Sequence, residues 1–236
     1  MGEGKQQINW ARWKPQDPSE LIGQDIREMY SVIIDEAQDS FGERCFLIYG
    51  KSGRGKSTIA DFIGKDYVDH ETNLVSYKGG LVTKSVVEDW IEQGHTRPLW
   101  GSRRAIIINE VNNVNKDVQD ILHDWLQDEL PDDYLVIATT NHKPCRDEDW
   151  EKMTEKELKE HLTPRFSSRF TKYEAPDLSI DELTNEISRR CNIPEKAARV
   201  CVTNGAGNIR NTLKDVQKAI RYSKNRKQKE QYVTNS

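Results

Sequence analysis

Cysteine is scarce in this 236-residue chain: Cys45, Cys145, Cys191 and Cys201 are the only four, and no two are spaced as C-x-x-C. That spacing excludes a zinc ribbon and a disulfide scaffold, and it is what free thiols in a reducing compartment look like. Long apolar runs are also missing. No stretch approaches the roughly 18 apolar residues needed to cross a bilayer, and Met1–Asn9 has no apolar segment of the kind a secretory leader carries. The expectation is an intracellular protein, cytoplasmic or nuclear, with no membrane partner. Apolar residues make up 35% and charged residues 31%, so the core is modest and the surface highly polar. Charge of one sign is short overall, with a net of −4, but it is unevenly placed. Residues 177–236 hold twelve Lys/Arg against seven Asp/Glu, a net of +5 that leaves −9 on the rest. A basic C-terminal segment on an acidic body suits an anionic partner such as DNA, and it equally suits a solvated tail.

What the chain does have is Gly50-Lys-Ser-Gly-Arg-Gly-Lys-Ser-Thr58, between an apolar run, Cys45–Tyr49, and a stretch with helical character, Ile59–Lys65. Strand, tight Gly-rich loop and helix in that order are the context in which G-x-x-x-x-G-K-S cradles phosphates. Backbone N–H groups of the loop and the positive end of the helix face the anion. Gly50, Ser52, Gly53, Arg54, Gly55, Lys56, Ser57 and Thr58 are the candidate nucleotide-binding residues. Lys56 is expected to bridge the β- and γ-phosphates, and the Ser57 hydroxyl to hold Mg²⁺.

Four further segments carry polar groups at informative places. Ala105-Ile-Ile-Ile-Asn-Glu110 is a buried strand ending in a polar pair. Glu110 can orient and activate an attacking water, and Asn109 is a neutral candidate for organising Mg²⁺. Ile137-Ala-Thr-Thr-Asn141 ends a second buried strand with an amide that could hold the nucleophilic water. Arg169, in Thr163-Pro-Arg-Phe-Ser-Ser-Arg-Phe170, and Arg210, in Gly207-Asn-Ile-Arg-Asn-Thr-Leu213, have the planar fork suited to phosphate. Read alone, each of these arginines is a solvated helix charge.

Periodicity sets the frame. Ile26, Tyr30, Ile33, Ile34 and Ala37 make one helical stripe, Val82 to Ile91 a second, and Val118 to Leu126 a third. Short apolar strands are expected at Leu74–Tyr77, Ala105–Ile108, Tyr134–Thr139 and Lys172–Ala175, and a charged helix at Glu151–His161. The pattern turns all helical after Pro176. Alternating strands and helices predict an α/β fold: a doubly wound, parallel, five-stranded P-loop sheet followed by a small all-helical lid. The expected divisions are a nucleotide-binding domain over 1–176, a lid over 177–225 and a basic, polar tail over 226–236.

Taken together these motifs resemble the AAA+ ATPase module, over about Asn9–Tyr222. The nearest likeness is to clamp-loader small subunits, and the next to Holliday-junction branch-migration motors. The resemblance implies that Gly50–Thr58 is Walker A and that Ala105–Glu110 is Walker B, with Asn109 in place of the usual Asp. It implies that Asn141 is sensor 1, Arg169 an arginine finger reaching a neighbour's site, and Arg210 sensor 2. Trp10–Pro15 and Leu21–Gln24 look like the clamp-loader opening segment beside the adenine, which would put Ile22 against the base. The resemblance also implies ATP and Mg²⁺ at subunit boundaries of a homo- or hetero-oligomeric ring or open spiral. DNA, and a sliding clamp or another replication protein, would be its partners. No collar or winged-helix segment follows the lid in this sequence, and Asn109 brings no charge.

Two principal functions are therefore weighed. One is an ATPase that loads or remodels a protein on DNA in replication or repair. The other is a weakly hydrolysing, ATP-dependent DNA-binding scaffold or recruiter, with slow turnover because of Asn109. A viral or plasmid replication helicase is a variant of the first, and a P-loop kinase of a small molecule has no use for the Asn141–Arg169–Arg210 series.

Overall fold

The computed structural model describes the backbone of residues 14–234 and the side chains through Tyr222. Trp10–Trp13 of the opening segment lie outside the described residues. Two compact units are present, one formed by Asp25–Pro176 and the other by the stretch ending at Gln24 together with the segment from Asp177 onward.

In the first unit five strands form one parallel sheet. They are β1 (Cys45–Tyr49), β2 (Leu74–Lys78), β3 (Arg104–Asn109), β4 (Tyr134–Thr140) and β5 (Thr171–Glu174), in the spatial order β2-β3-β4-β1-β5. β1, β3 and β4 lie inside the sheet and their apolar runs are buried on both faces, whereas the edge strands β2 and β5 are partly exposed. Register is set so that Tyr49 pairs with Thr140 and Ile108 with Ala138, bringing the carboxyl ends of β1, β3 and β4 level. That end of a doubly wound sheet is where ligands bind.

Alternation along the strands divides the core. Leu47, Ile106, Ile108, Val136 and Ala138 face a cluster with Val87 and Trp90 of α3 (Lys84–Gly94), Val118 and Leu122 of α4 (Lys116–Asp124), and Trp125, Phe166 and Phe170. The intervening Phe46, Ile48, Ile107, Leu135 and Ile137 are equally buried. On their side α2 (Lys56–Tyr67) packs against β1, β3 and β4. The hydroxyl of Tyr30, on α1 (Gln24–Gln38), donates to Asp66 of α2, and that of Tyr173, on β5, donates to Glu36 of α1 at 2.8 Å. Burial, with the Glu36 carboxylate alongside, pushes the Tyr173 phenol up to about 12.

The expected helix Glu151–His161 starts only at Glu155, as α6 (Glu155–Glu160), and a separate helical turn, α5 (Asp147–Trp150), precedes the expected start. The reason is a capping box. The Thr154 hydroxyl accepts from the Glu157 N–H and the Glu157 carboxylate accepts from the Thr154 N–H, so a new helix starts at that point. Next comes α7 (Pro164–Ser167), capped by the Thr163 hydroxyl.

The second unit contains α8 (Ile180–Cys191), α9 (Glu195–Asn204) and α10 (Ile209–Thr234). Leu183, Ile187, Ala198, Val202, Leu213 and Val216 are among its buried apolar side chains, and Leu21 is buried as well. The Arg190 guanidinium donates to the Glu20 carbonyl at 2.6 Å, tying the stretch before Gln24 to α8. α10 runs as helix through residues 226–234, which the sequence reading treats as tail. No helix among the described residues is long and apolar enough to cross a membrane.

Candidate functional site

The Gly-rich loop leaves β1 and enters α2 directly, so the helix begins at Lys56, three residues before the apolar pattern that announces it. Gly55, the residue before the helix, has φ +83, a left-handed conformation that a β-carbon strains, although no heavy atom lies within 4 Å of where one would sit. No side chain caps α2. A helix N-terminus left uncapped behind a loop with positive φ at Gly50, Gly53 and Gly55 is a set of backbone donors shaped for an anion. These residues fit a polyphosphate. Ser52 and Ser57 are exposed on it, Gly53 and Thr58 are half-buried, and Arg54 is buried within the loop.

Lys56 is only 6% exposed. Its ammonium donates to the Gly50 carbonyl at 2.7 Å, the Lys51 carbonyl at 2.9 Å and Oδ1 of Asn141 at 2.8 Å. The loop lysine and the amide at the end of β4 therefore form one constellation. Asn141 is exposed, and the turn carrying it is fixed by Thr140. The Thr140 hydroxyl accepts from the His142 N–H and donates to the buried Asn112 at 3.0 Å.

Asn109 and Glu110 are joined through Thr139. The Thr139 hydroxyl donates to Oδ1 of Asn109 at 3.1 Å and accepts from the Glu110 N–H at 3.3 Å, while Nδ2 of Asn109 donates to Ser76 at 3.3 Å. The Asn109 amide thus links β3 to both of its neighbours, β2 and β4. Glu110 itself is exposed and has φ 56, a left-handed conformation that costs a non-glycine residue of order 1 kcal/mol or more. Its backbone oxygen lies 2.3 Å from where a β-carbon on Gly79 would be, so the turn after β2 packs on the Glu110 peptide. For Mg²⁺, Ser57 and Asn109 present neutral oxygens and Glu110 the carboxylate, so most of the charge holding the ion would come from phosphate.

Arg169 follows α7 and is half-buried. Its Nε donates to Nε2 of His123 at 3.1 Å, and it shares no hydrogen bond with Lys56, Glu110 or Asn141 among the described residues. Arg210 is exposed in the first turn of α10, and Ile22 is half-buried. Both belong to the second unit.

Sequence reasoning passes over Thr139, Ser76, His123 and Gln119. Gln119 is fully buried on α4. Its Nε2 donates to the Val114 carbonyl at 2.9 Å and its Oε1 accepts from the Thr163 N–H at 3.1 Å, holding the N-cap of α7 in place. Nearby, Lys116 donates to the His161 carbonyl and lies 5.3 Å over the Trp150 ring, and burial holds its amine below the usual lysine range.

No protein-family model matches the chain. The ATPase WRNIP1 of Dictyostelium discoideum is 24% identical over 131 residues, which are 56% of this chain and 14% of that protein. Among solved structures, the Holliday-junction branch-migration motor RuvB of Thermotoga maritima superposes with a TM-score of 0.63 at 22% identity, covering 89% of this chain and 65% of RuvB. A closed-state structure of Hsp104 with ATPγS and casein gives a TM-score of 0.57 at 16% identity, covering 88% of this chain and 47% of Hsp104. The chain thus spans less than two thirds of each of these proteins. With its parallel sheet ordered β2-β3-β4-β1-β5, the Gly-rich loop between β1 and α2, and a helical C-terminal segment, the chain has the α/β fold of the AAA+ ATPases.

Proposed function

We propose that this protein is an oligomeric AAA+ ATPase that binds and hydrolyses ATP–Mg²⁺ at subunit boundaries to load or remodel a protein on DNA. The observation that carries the reading is the Lys56 ammonium, bonded at once to two loop carbonyls and to Asn141. A lysine so placed can exchange these acceptors for phosphate oxygens while Asn141 stays beside the γ-phosphate. In this scheme the loop and the start of α2 bind the phosphates, Glu110 accepts a proton from the attacking water, and Asn141 orients that water. Mg²⁺, held through Ser57 and by way of Asn109, would neutralise charge on the phosphates. Arg169 serves the neighbouring subunit's nucleotide, and Arg210 links the helical unit to nucleotide state.

DNA as the setting is supported by the name of one structural neighbour, a Holliday-junction branch-migration motor, and by the net charge of +5 on residues 177–236. A sliding clamp or other replication protein is the partner that the clamp-loader-like motif set suggests. A second reading has its own observation. The Asn109 amide is already bonded to the two neighbouring strands and adds no charge toward Mg²⁺, which favours a slow ATPase that works mainly as a nucleotide-gated scaffold on DNA.

The test is ATP turnover together with mass in solution, with and without ATP, Mg²⁺ and DNA. Expected are an ATP-dependent rise in mass, turnover per subunit that climbs with protein concentration, and loss of ATP binding in Lys56→Ala. Unchanged ATP affinity in Lys56→Ala, or no turnover at any concentration with or without DNA, would overturn the hydrolytic reading. Turnover that stays slow while ATP still drives assembly on DNA would favour the scaffold.

A further inference from the structure

We propose that His123 is a positioning residue for Arg169, holding its guanidinium as a charged fork for the neighbouring subunit's γ-phosphate. The inference rests on reading Arg169 as the arginine that acts in trans.

His123 lies on α4 and is 3% exposed, yet it is fully partnered. Because Arg169 Nε donates to its Nε2, that nitrogen carries no proton, and the ring proton belongs on Nδ1. Nδ1 faces Oδ1 of Asp124 at 2.9 Å, so the carboxylate accepts it. The same carboxylate accepts from Nη2 of Arg165 at 2.8 Å. The His123 hydrogen bond, with Arg165 and the ring adding to it, holds the Asp124 carboxyl below its usual range. The result is a chain from Arg169 through neutral His123 to Asp124, anchored by Arg165.

The choice of an imidazole has a chemical consequence. A carboxylate at this place would grip the guanidinium as an ion pair and compete with phosphate for its charge. Neutral imidazole fixes the direction of the side chain through Nε alone and leaves its full positive charge. The two terminal nitrogens of Arg169 make no hydrogen bond among the described residues. They are the pair that binds phosphate oxygens in bidentate fashion. The neighbouring carboxylate orients the ring and strengthens its acceptor nitrogen, as carboxylates do for metal-bound histidines.

The charged groups that face the ring are Asp124 on its own helix and, from the α7 segment packed on it, Arg169, with Arg165 one carboxylate away.

The experiment uses the full chain at concentrations where turnover per subunit has levelled off. It compares His123→Ala, His123→Gln and Arg169→Ala by kcat, KM and binding of an ATP analogue. His123→Ala is expected to lower kcat by about 10- to 100-fold, the effect of misplacing a reacting group by about an ångström, with KM within about threefold of wild type. His123→Gln offers an amide oxygen to Arg169 Nε. It is expected to recover most of the kcat, a rescue that a merely space-filling histidine would not show. Wild-type kcat in His123→Ala, or no recovery of kcat in His123→Gln, overturns the positioning role. Should His123→Ala fail to fold, His123→Phe, which fills the space without offering an acceptor, takes its place beside His123→Gln. Wild-type kcat in Arg169→Ala would be a different failure, removing the trans-acting arginine itself.

Discussion

Nζ of Lys56 lies 2.8 Å from Oδ1 of Asn141, a residue 85 positions later that ends a strand adjacent to β1. The contact makes the phosphate loop and the end of β4 a single hydrogen-bonded unit. It also separates what each residue does. Lys56 keeps two loop carbonyls as acceptors when Asn141 is truncated, so the loop should hold its shape. Asn141→Ala is therefore expected to leave ATP affinity within a few-fold of wild type and to lower turnover by about 10²-fold, the usual cost of one donor or acceptor at a reacting centre. Titration calorimetry with a slowly hydrolysed analogue, beside steady-state ATPase rates, measures the two quantities separately. A parallel loss of affinity would mean that Asn141 supports the lysine and not the water.

Glu110 raises a backbone question as well as a chemical one. Its left-handed φ of 56 is accommodated beside Gly79, where an added β-carbon would stand 2.3 Å from the Glu110 carbonyl oxygen. Backbone atoms cannot yield as a side-chain tip can. Gly79→Ala is thus expected to destabilise the fold by about 1–3 kcal/mol and to slow hydrolysis more than it weakens ATP binding. Gly80→Ala, with no heavy atom within 4 Å of its new carbon, is the matched control and should behave as wild type. Denaturant midpoints and single-turnover rates check both. Glu110→Gln should keep ATP bound and hold the assembly together, because it keeps the shape and removes only the proton acceptor.

Asn109 is the place where the composition of the site departs from what its chemistry asks. An Asp there would still accept the Thr139 hydroxyl, and the Ser76 hydroxyl, 3.3 Å away, could turn to donate. Asn109→Asp should fold normally and add one charge near the metal. The Mg²⁺ concentration for half-maximal activity is expected to fall by at least about 10-fold, since one added charge near a divalent ion contributes more than about 1.4 kcal/mol. Turnover should rise with it. No change in either quantity would show that the neutral amide does not limit the rate.

Why the strands and the phosphate loop are readable, and the arginine's support is not, follows from how each is encoded. β1, β3 and β4 are continuous apolar runs because both faces are buried, and Gly50–Thr58 is a contiguous motif, so a short window of sequence holds the whole signal. Asn109-Glu110 and Asn141 stand at strand ends, where the next polar residue announces itself. The His123–Arg169 contact joins residues 46 positions apart, and a lone histidine on the apolar side of a helix looks like any core position. Gln119 is hidden for the same reason: its two bonds go to main-chain groups, and nothing local marks them. The capping box at Thr154 was visible in Thr-Glu-Lys-Glu, yet the run of charge on either side reads as one helix. Arg210 and Ile22 fall in the other compact unit, and their part in the site rests on the motif series.

Gln119 offers a stability test that leaves the chemistry alone. Its two amide ends satisfy the Val114 carbonyl and the Thr163 N–H inside the protein. Gln119→Leu fills the space and leaves both main-chain groups without their partner. The expected cost is about 2–3 kcal/mol, the range for buried polar groups stranded by removal of one side. It should appear as a lower denaturant midpoint with an unchanged slope. A variant as stable as wild type would mean that water or rearrangement satisfies both groups.

His142 follows Asn141 directly and supplies a pH dependence. Burial, and then the neighbouring His161 ring at 4.8 Å, hold its imidazole below the usual histidine value of 6.5, with Glu160 opposing weakly. The unfolded chain, where His142 titrates normally, therefore binds more protons than the folded chain as the pH falls through 6.5. Stability rises with pH wherever the unfolded state is the more protonated. The His142 contribution is thus fully present above 6.5 and is lost as the pH drops from there through the lower folded value. His142→Gln keeps a polar side chain and the backbone bond from its N–H to Thr140, and it removes the titration. Urea midpoints between pH 8 and pH 5 should decline less steeply in this variant than in wild type, with the two curves diverging below about pH 6.5. Parallel curves would mean that charging this ring costs the folded protein nothing, and that the turn carrying Asn141 is indifferent to acid.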